Sequence, residues 1–215
     1  MNIKKLEHCC LVVTTKGVTF ITDPGSYSDS QNAVTGVHAI IITHEHGDHF
    51  HIDSVKAIIN NNPRVTIIAN ASTGKLLDAA GLAHVVVDGR GSTEVNGVTV
   101  EAFDCKHEEV YQEMAQVQNT GYLIDGTFFI PGDSFQVSSF EKPVQVLALP
   151  VAGPWCWLPD AIRYALRVKP AKAFPVHDGM IRPGFGGFVA QMLGTILKPS
   201  GIEFIAMNAN DEKEF

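Results

Sequence analysis

Hydrophobic and polar positions along the chain alternate in short blocks of two kinds. Leu6 to Thr15 and Val18 to Thr22 read as strands joined at a Lys16-Gly17 hairpin turn, and Asp23-Pro24-Gly25 ends the second. His38-Ala39-Ile40-Ile41-Ile42-Thr43 is apolar and β-branched without polar alternation, which predicts a buried strand. His51 to Asn61 places Ile52, Val55, Ile58 and Ile59 at helical spacing. A strand over Val65 to Ala69, a short helix over Ser72 to Ala80 closed by Gly81, and a strand over His84 to Val87 follow. This alternation predicts βαβ units with parallel pairing.

The middle changes period. Glu94 to Val100 is a hairpin around Asn96-Gly97, and Tyr122 to Ile130 holds another around Asp125-Gly126. Alternation then returns: strand Val144 to Leu149, helix Leu158 to Arg167 with Pro159 near its start, strand Ala171 to Val176, a helix from about Phe188 to Leu197, and a last strand Ile202 to Met207. Two halves of this kind fit two packed sheets with helices outside, an αββα sandwich of the α/β class. With no linker, low-complexity segment or repeat, residues 1–215 read as a single domain.

Composition narrows the function more than the fold. Hydrophobic residues make up 45% and charged residues 18%, the balance of an ordinary soluble globular chain. A net charge of −7 without lysine or arginine runs argues against nucleic-acid binding. No stretch approaches the roughly 20 apolar residues of a membrane span. Lys4 and Lys5 are followed after Leu6 by Glu7 and His8, unlike a signal peptide, so a cytoplasmic location is expected. The four cysteines lack Cys-x-x-Cys spacing and read as small buried hydrophobes, although Cys105 lies two residues from His107.

The candidate chemistry begins at His44-Glu45-His46-Gly47-Asp48-His49, directly after the buried strand. Nine histidines in the chain make three in six positions hard to assign to chance. Imidazoles and a carboxylate delivered to one point suit zinc, manganese or iron, and this loop reads as a metal site.

The His-x-His-x-Asp-His pattern resembles the signature loop of the metallo-β-lactamase superfamily, whose fold is the αββα sandwich. The resemblance extends downstream in ligand order to His107 after Val98–Phe103, Asp133 in Pro131-Gly132-Asp133-Ser134, and His177 in Phe174-Pro175-Val176-His177-Asp178-Gly179. It implies one metal held by His44, His46 and His107 and a second held by Asp48, His49 and His177. Asp133 would bridge them, and Asp48 and Asp133 would be the catalytic carboxylates. It implies two divalent ions, Zn first with Mn or Fe as alternatives, and a metal-bridged hydroxide that attacks a carbonyl or phosphorus. Asp23 resembles the early Asp that buttresses the metal loop by accepting hydrogen bonds.

Other residues have weaker claims. Trp155 and Trp157, in Val151-Ala152-Gly153-Pro154-Trp155-Cys156-Trp157, are candidate walls of a substrate pocket or core residues under the next helix. Arg182, five residues after His177, is a candidate for an anionic substrate group. His8, His38 and His84 lie in or beside strand runs and read as structural; His51 and Asp178 have solvent exposure as their default. Within the superfamily, the turns look most like the small metal-dependent hydrolases related to ascorbate-6-phosphate lactonase and N-acylphosphatidylethanolamine phospholipase D. The expectation is a metal-dependent hydrolase of a lactone, ester or phosphodiester bond in a small-molecule substrate. A non-catalytic metal-bound binder or sensor, and a mononuclear iron sulfur dioxygenase, are the alternatives. The sequence leaves a homo-oligomer open.

Overall fold

The computed structural model describes residues 1–112, 114–182 and 184–215. One seven-stranded sheet contains β1 (Asn2–Glu7), β2 (Cys10–Thr15), β3 (Val18–Thr22), β4 (Ala39–Ile42), β5 (Thr66–Ala69) and β6 (Val85–Val86), in that order, with β14 (Glu212–Glu214) outside β1. The other runs β7 (Ser92–Val95), β8 (Val98–Lys106), β9 (Gln118–Ile124), β10 (Phe128–Ile130), β11 (Val146–Pro150), β12 (Lys172–Val176) and β13 (Glu203–Phe204). Each sheet is mixed. Hairpins make one half antiparallel, and crossovers through α1 (Ile52–Asn61), α2 (Ala71–Ala79), α3 (Leu158–Val168) and α4 (Gly186–Leu197) make most of the other half parallel.

Three apolar layers hold the four structural layers together. Alternate residues of one strand serve two of them: Ala39 and Ile41 face the opposite sheet, while Ile40 and Ile42 face Val55, Ile58 and Leu77 on the helices. That double burial is why β4 reads as an unbroken apolar run. Between the sheets, Phe20, Ile41 and Ile68 meet Val100, Tyr122, Phe128 and Phe174. Leu147, Leu149 and Ala173 pack outward against Ala161, Tyr164, Leu193 and Leu197 of α3 and α4. The result is the αββα sandwich expected.

Two differences matter. The run from Leu6 to Thr15 is not one strand: the chain reverses at His8-Cys9, with His8 at φ 49°, and β1 pairs antiparallel with β2. A left-handed histidine gives no turn signal of the kind that glycine gives at Lys16-Gly17. The exposed, wholly polar β14 carries no sequence signal either, because a sheet-edge strand with no apolar face leaves no period to read.

Strand direction places the site. β1, β3, β4, β8, β10 and β12 end at the same edge of the sandwich, where their following loops converge. Backbone bonds stitch the two sheets there, from Thr120 N–H to the Thr43 carbonyl (3.0 Å) and from His177 N–H to the His8 carbonyl (3.2 Å).

Candidate metal centre

The loop after β4 folds back on itself through His49 and Phe50 N–H bonds to the His46 carbonyl, at 2.9 and 2.8 Å. Gly25 of the loop after β3 presses against it so closely that a Cβ there would sit 1.8 Å from the Asp48 carbonyl oxygen. The turn carrying Asp133 is equally constrained. Gly132 has φ +63°, and a Cβ on it would overlap Asn119 Oδ1 at 2.2 Å. Asn119 clamps this turn, accepting from Asp133 N–H (3.0 Å) and donating to the Pro131 carbonyl (2.8 Å). His177 itself sits in the left-handed region at φ 56°. Non-glycine residues held there point to a site whose surroundings over-determine it.

These loops bring all seven ligand candidates together in two groups whose donor atoms lie within 4.8 Å of one another. One is His44, His46, His107 and Asp133; the other is Asp48, His49 and His177, joined by His8. Asp133 lies between them. Its Oδ2 is 3.2 Å from His107 Nε2, 3.0 Å from His177 Nε2 and 3.8 Å from His44 Nε2, and its Oδ1 is 3.1 Å from His49 Nε2. Among the buried polar atoms without a hydrogen-bond partner are His49 Nε2, both ring nitrogens of His177 and Asp133 Oδ1. Converging orphan lone pairs of imidazole and carboxylate fit divalent cations.

Hydrogen bonds behind the rings aim them. Asp23 accepts from Thr43 N–H (2.8 Å) and Thr43 Oγ1 (2.9 Å), and its Oδ2 lies 2.9 Å from His49 Nδ1. With Nδ1–H donated to Asp23, it is Nε2 that faces inward and offers its lone pair once its proton is displaced. His107 Nδ1 lies 2.6 Å from the Glu108 carbonyl, which frees Nε2 in the same way.

Burial pushes His44 well down and His46 down, so both rings are neutral at pH 7. Burial also opposes charge on His49 and His177, but Asp133 and other nearby acids outweigh it; His177 is raised to about 11 and His49 well above its ordinary value. Burial disfavours the carboxylate forms too, yet the His177 ring, 3.4 Å away, and the hydrogen bond from His8 hold Asp48 low. The charges of His49 and His177 hold Asp133 low in the same way. A cation bound by His49 and His177 must displace their protons.

His8, whose place beside a strand run suggests a structural role, enters the site. Its ring lies between Tyr27 and His177, with centroids 4.8 and 4.1 Å away, and its Nε2 is 3.2 Å from Asp48 Oδ2. Gly179 N–H donates to its Nδ1 at 3.1 Å. Nδ1 being an acceptor, the neutral ring carries its proton on Nε2 and donates it to Asp48. Its neighbours come from residues 27, 48, 177 and 179, so no local motif could reveal it.

The tryptophans divide. Trp155 is 8% exposed and packs against Phe135 while facing His107 and His177, so its ring belongs to the core and to the cavity wall at once. Trp157 is 72% exposed, caps α3, and is not among the residues lining the cavity over the ligands. Arg182 also lies outside that cavity. It lines a separate one of about 520 Å³ with Lys5, Glu7 and His8, and Tyr27 is common to the two. Asp178 is not simply solvated: it pairs with buried Lys5, whose Nζ also donates to the Pro175 carbonyl at 2.9 Å. His51 occupies the N-cap position of α1, and its Nδ1 lies 3.0 Å from Ser54 Oγ.

Comparison with known proteins agrees with this geometry. The family model described as Beta-lactamase superfamily domain matches residues 2–177. Protein Rv0786c of Mycobacterium tuberculosis is 30% identical over 192 residues, covering 87% of this chain and 88% of its own. The UPF0173 metal-dependent hydrolase Ta0764 of Thermoplasma acidophilum is 26% identical, covering 64% of each. Among solved structures, Igni18, a metallo hydrolase from the archaeon Ignicoccus hospitalis, superposes with a TM-score of 0.75 at 18% identity over the full length of both chains. Among the described residues, no helix is long and apolar enough to cross a membrane.

Proposed function

The chain belongs to the metallo-β-lactamase superfamily, and from that premise we propose that it is a metal-dependent hydrolase acting through two divalent ions on an ester, lactone or phosphodiester. The observation that carries this reading is the position of Asp133, within 3.2 Å of imidazole nitrogens from both ligand groups. His44, His46 and His107 would hold one ion and Asp48, His49 and His177 the other, with Asp133 shared. Zinc suits these nitrogen and oxygen donors best, with manganese and iron as alternatives. When bound, such a pair would lower the pKa of a water towards neutrality and polarise the carbonyl or phosphoryl oxygen of the group under attack.

The chain's own groups prepare that chemistry. Asp23 and the Glu108 carbonyl fix the tautomers of His49 and His107, and buried Asp133 with half-buried Asp48 offsets positive charge. No cysteine competes as a nucleophile. Burial raises all four thiols, Cys156 to about 12, so they stay protonated at pH 7. The second group has its own complement of donors, which favours two ions over the single iron of a dioxygenase. Zinc-loaded and chelator-stripped protein should be assayed on p-nitrophenyl acetate, simple lactones and bis-p-nitrophenyl phosphate. The reading expects metal-dependent turnover of at least one, and inertness to all three classes with both sites filled would contradict it.

A further inference from the structure

We propose that the mouth of the metal site is an acyl pocket, and that the substrate is a neutral ester or lactone with an apolar acyl group; this rests on the hydrolase reading above. The cavity over the ligands has a volume of about 380 Å³, at the small-molecule end of binding sites. Its floor is made by His46, Asp48, His107, Asp133 and His177. Its walls bring in Tyr27, Val110, Met114, Pro154, Trp155 and Met180.

These apolar groups are not hidden. Met114 is 60% exposed, Met180 49%, Tyr27 44% and Val110 39%, and they come from three separate loops. Large apolar side chains gathered at one rim, above a polar floor, mark a surface that gains by being covered. The continuity of the rim with the ligand groups identifies what covers it: the part of the substrate next to the bond being cleaved. Two methionines among the walls also suit a flexible chain, since unbranched thioether side chains repack around varied shapes.

Charge decides between the substrate classes. Cations on the floor would attract a carbonyl oxygen and a phosphate alike, so discrimination falls to the walls. No lysine or arginine lines this cavity among the described residues. Sites built for phosphate supply guanidinium or ammonium donors around the anion. Here Arg182 lines the neighbouring cavity, and the Lys5 ammonium is engaged by Asp178 and the Pro175 carbonyl. The second ester substituent of a phosphodiester could find apolar contact, but its charged phosphoryl oxygens would find no basic side chain.

The test uses zinc-loaded protein and p-nitrophenyl esters from acetate to decanoate, with bis-p-nitrophenyl phosphate as the anionic comparator. Each methylene buried in the mouth should raise kcat/KM by roughly fourfold until the cavity is full. Met114→Ser and Met180→Ser should lower that gain per methylene. In parallel, calorimetry of acetate to decanoate reads chain-length dependence with no turnover required. Ester cleavage without chain-length dependence, or a phosphodiester cleaved better than every ester, would overturn the acyl pocket and leave the hydrolase reading standing. Chain-length-dependent carboxylate binding without any turnover would uphold the pocket and sink the hydrolase reading. Failure of both chain-length series would overturn the pocket outright.

Discussion

Replacing Asp133 by Asn tests the assembled centre rather than any one loop. The side chain is buried, and its two oxygens approach His44, His49, His107 and His177 at 3.0–3.8 Å. Asn keeps nearly the same shape, and the bonds that hold the turn, from Asp133 N–H to Asn119 and from Asn119 to the Pro131 carbonyl, do not use the Asp133 side chain. What is lost is one negative charge between two cation positions and one ligating oxygen, replaced by an amide NH2 that aims hydrogens at imidazole lone pairs. Losing a residue that merely orients a ligand costs ~10–100-fold in metal affinity or activity, which is what Asp23→Asn should show. A shared ligand should reach or exceed the top of that range: at least ~10²-fold in the affinity of one ion, or about 2.7 kcal/mol, with a fall in kcat of ~10²-fold or more. The assay is competition with a zinc chelator of known affinity beside steady-state kinetics, with circular dichroism to show that the fold survives. Two normally bound ions and the parent rate in Asp133→Asn would refute the shared-ligand assignment and leave Asp133 as a turn former.

Further outcomes follow from the same geometry. His8→Gln retains an Nε2–H donor towards Asp48 and should hold the second ion almost as well as the parent, whereas His8→Phe should weaken it by ~10–100-fold; equal losses in both variants would make His8 a ligand instead. His177 and His49 carry raised pKa values, so they are protonated below those values and compete with the cation. Zinc loading at pH 7 should release roughly two protons from these rings, measured by calorimetry in buffers of different ionisation enthalpy, and affinity should rise with pH; proton-neutral loading would contradict this. Gly132→Ala adds a Cβ into Asn119 at a positive φ and should cost about 1–3 kcal/mol in denaturant unfolding; an unchanged midpoint would show that the turn has slack.

Much of the molecule was legible because its signals are local. The Asn96-Gly97 and Asp125-Gly126 turns lie where expected, with both residues of each pair at positive φ. The apolar run before His44 became a strand buried on both faces, and Ile52, Val55 and Ile58 mark the helical period of α1, with Val55 and Ile58 fully buried. What escaped depends on contacts between distant residues. His8 reaches the site only because β1 runs parallel to β3 two strands away and its turn meets the loop after β12. Trp155 and Trp157 are two residues apart, and where α3 begins sends one ring inward and leaves the other in solvent, a phase no composition encodes. Arg182 follows His177 closely in sequence but lines the neighbouring cavity.

The central claim is that one buried cluster holds two cations, and counting them tests it most directly. Chelator-stripped protein, dialysed to equilibrium against increasing free zinc, should approach two equivalents per chain by elemental analysis, and His49→Ala should approach one. Saturation of the parent protein at one equivalent, with hydrolytic activity already complete at that point, would contradict the account.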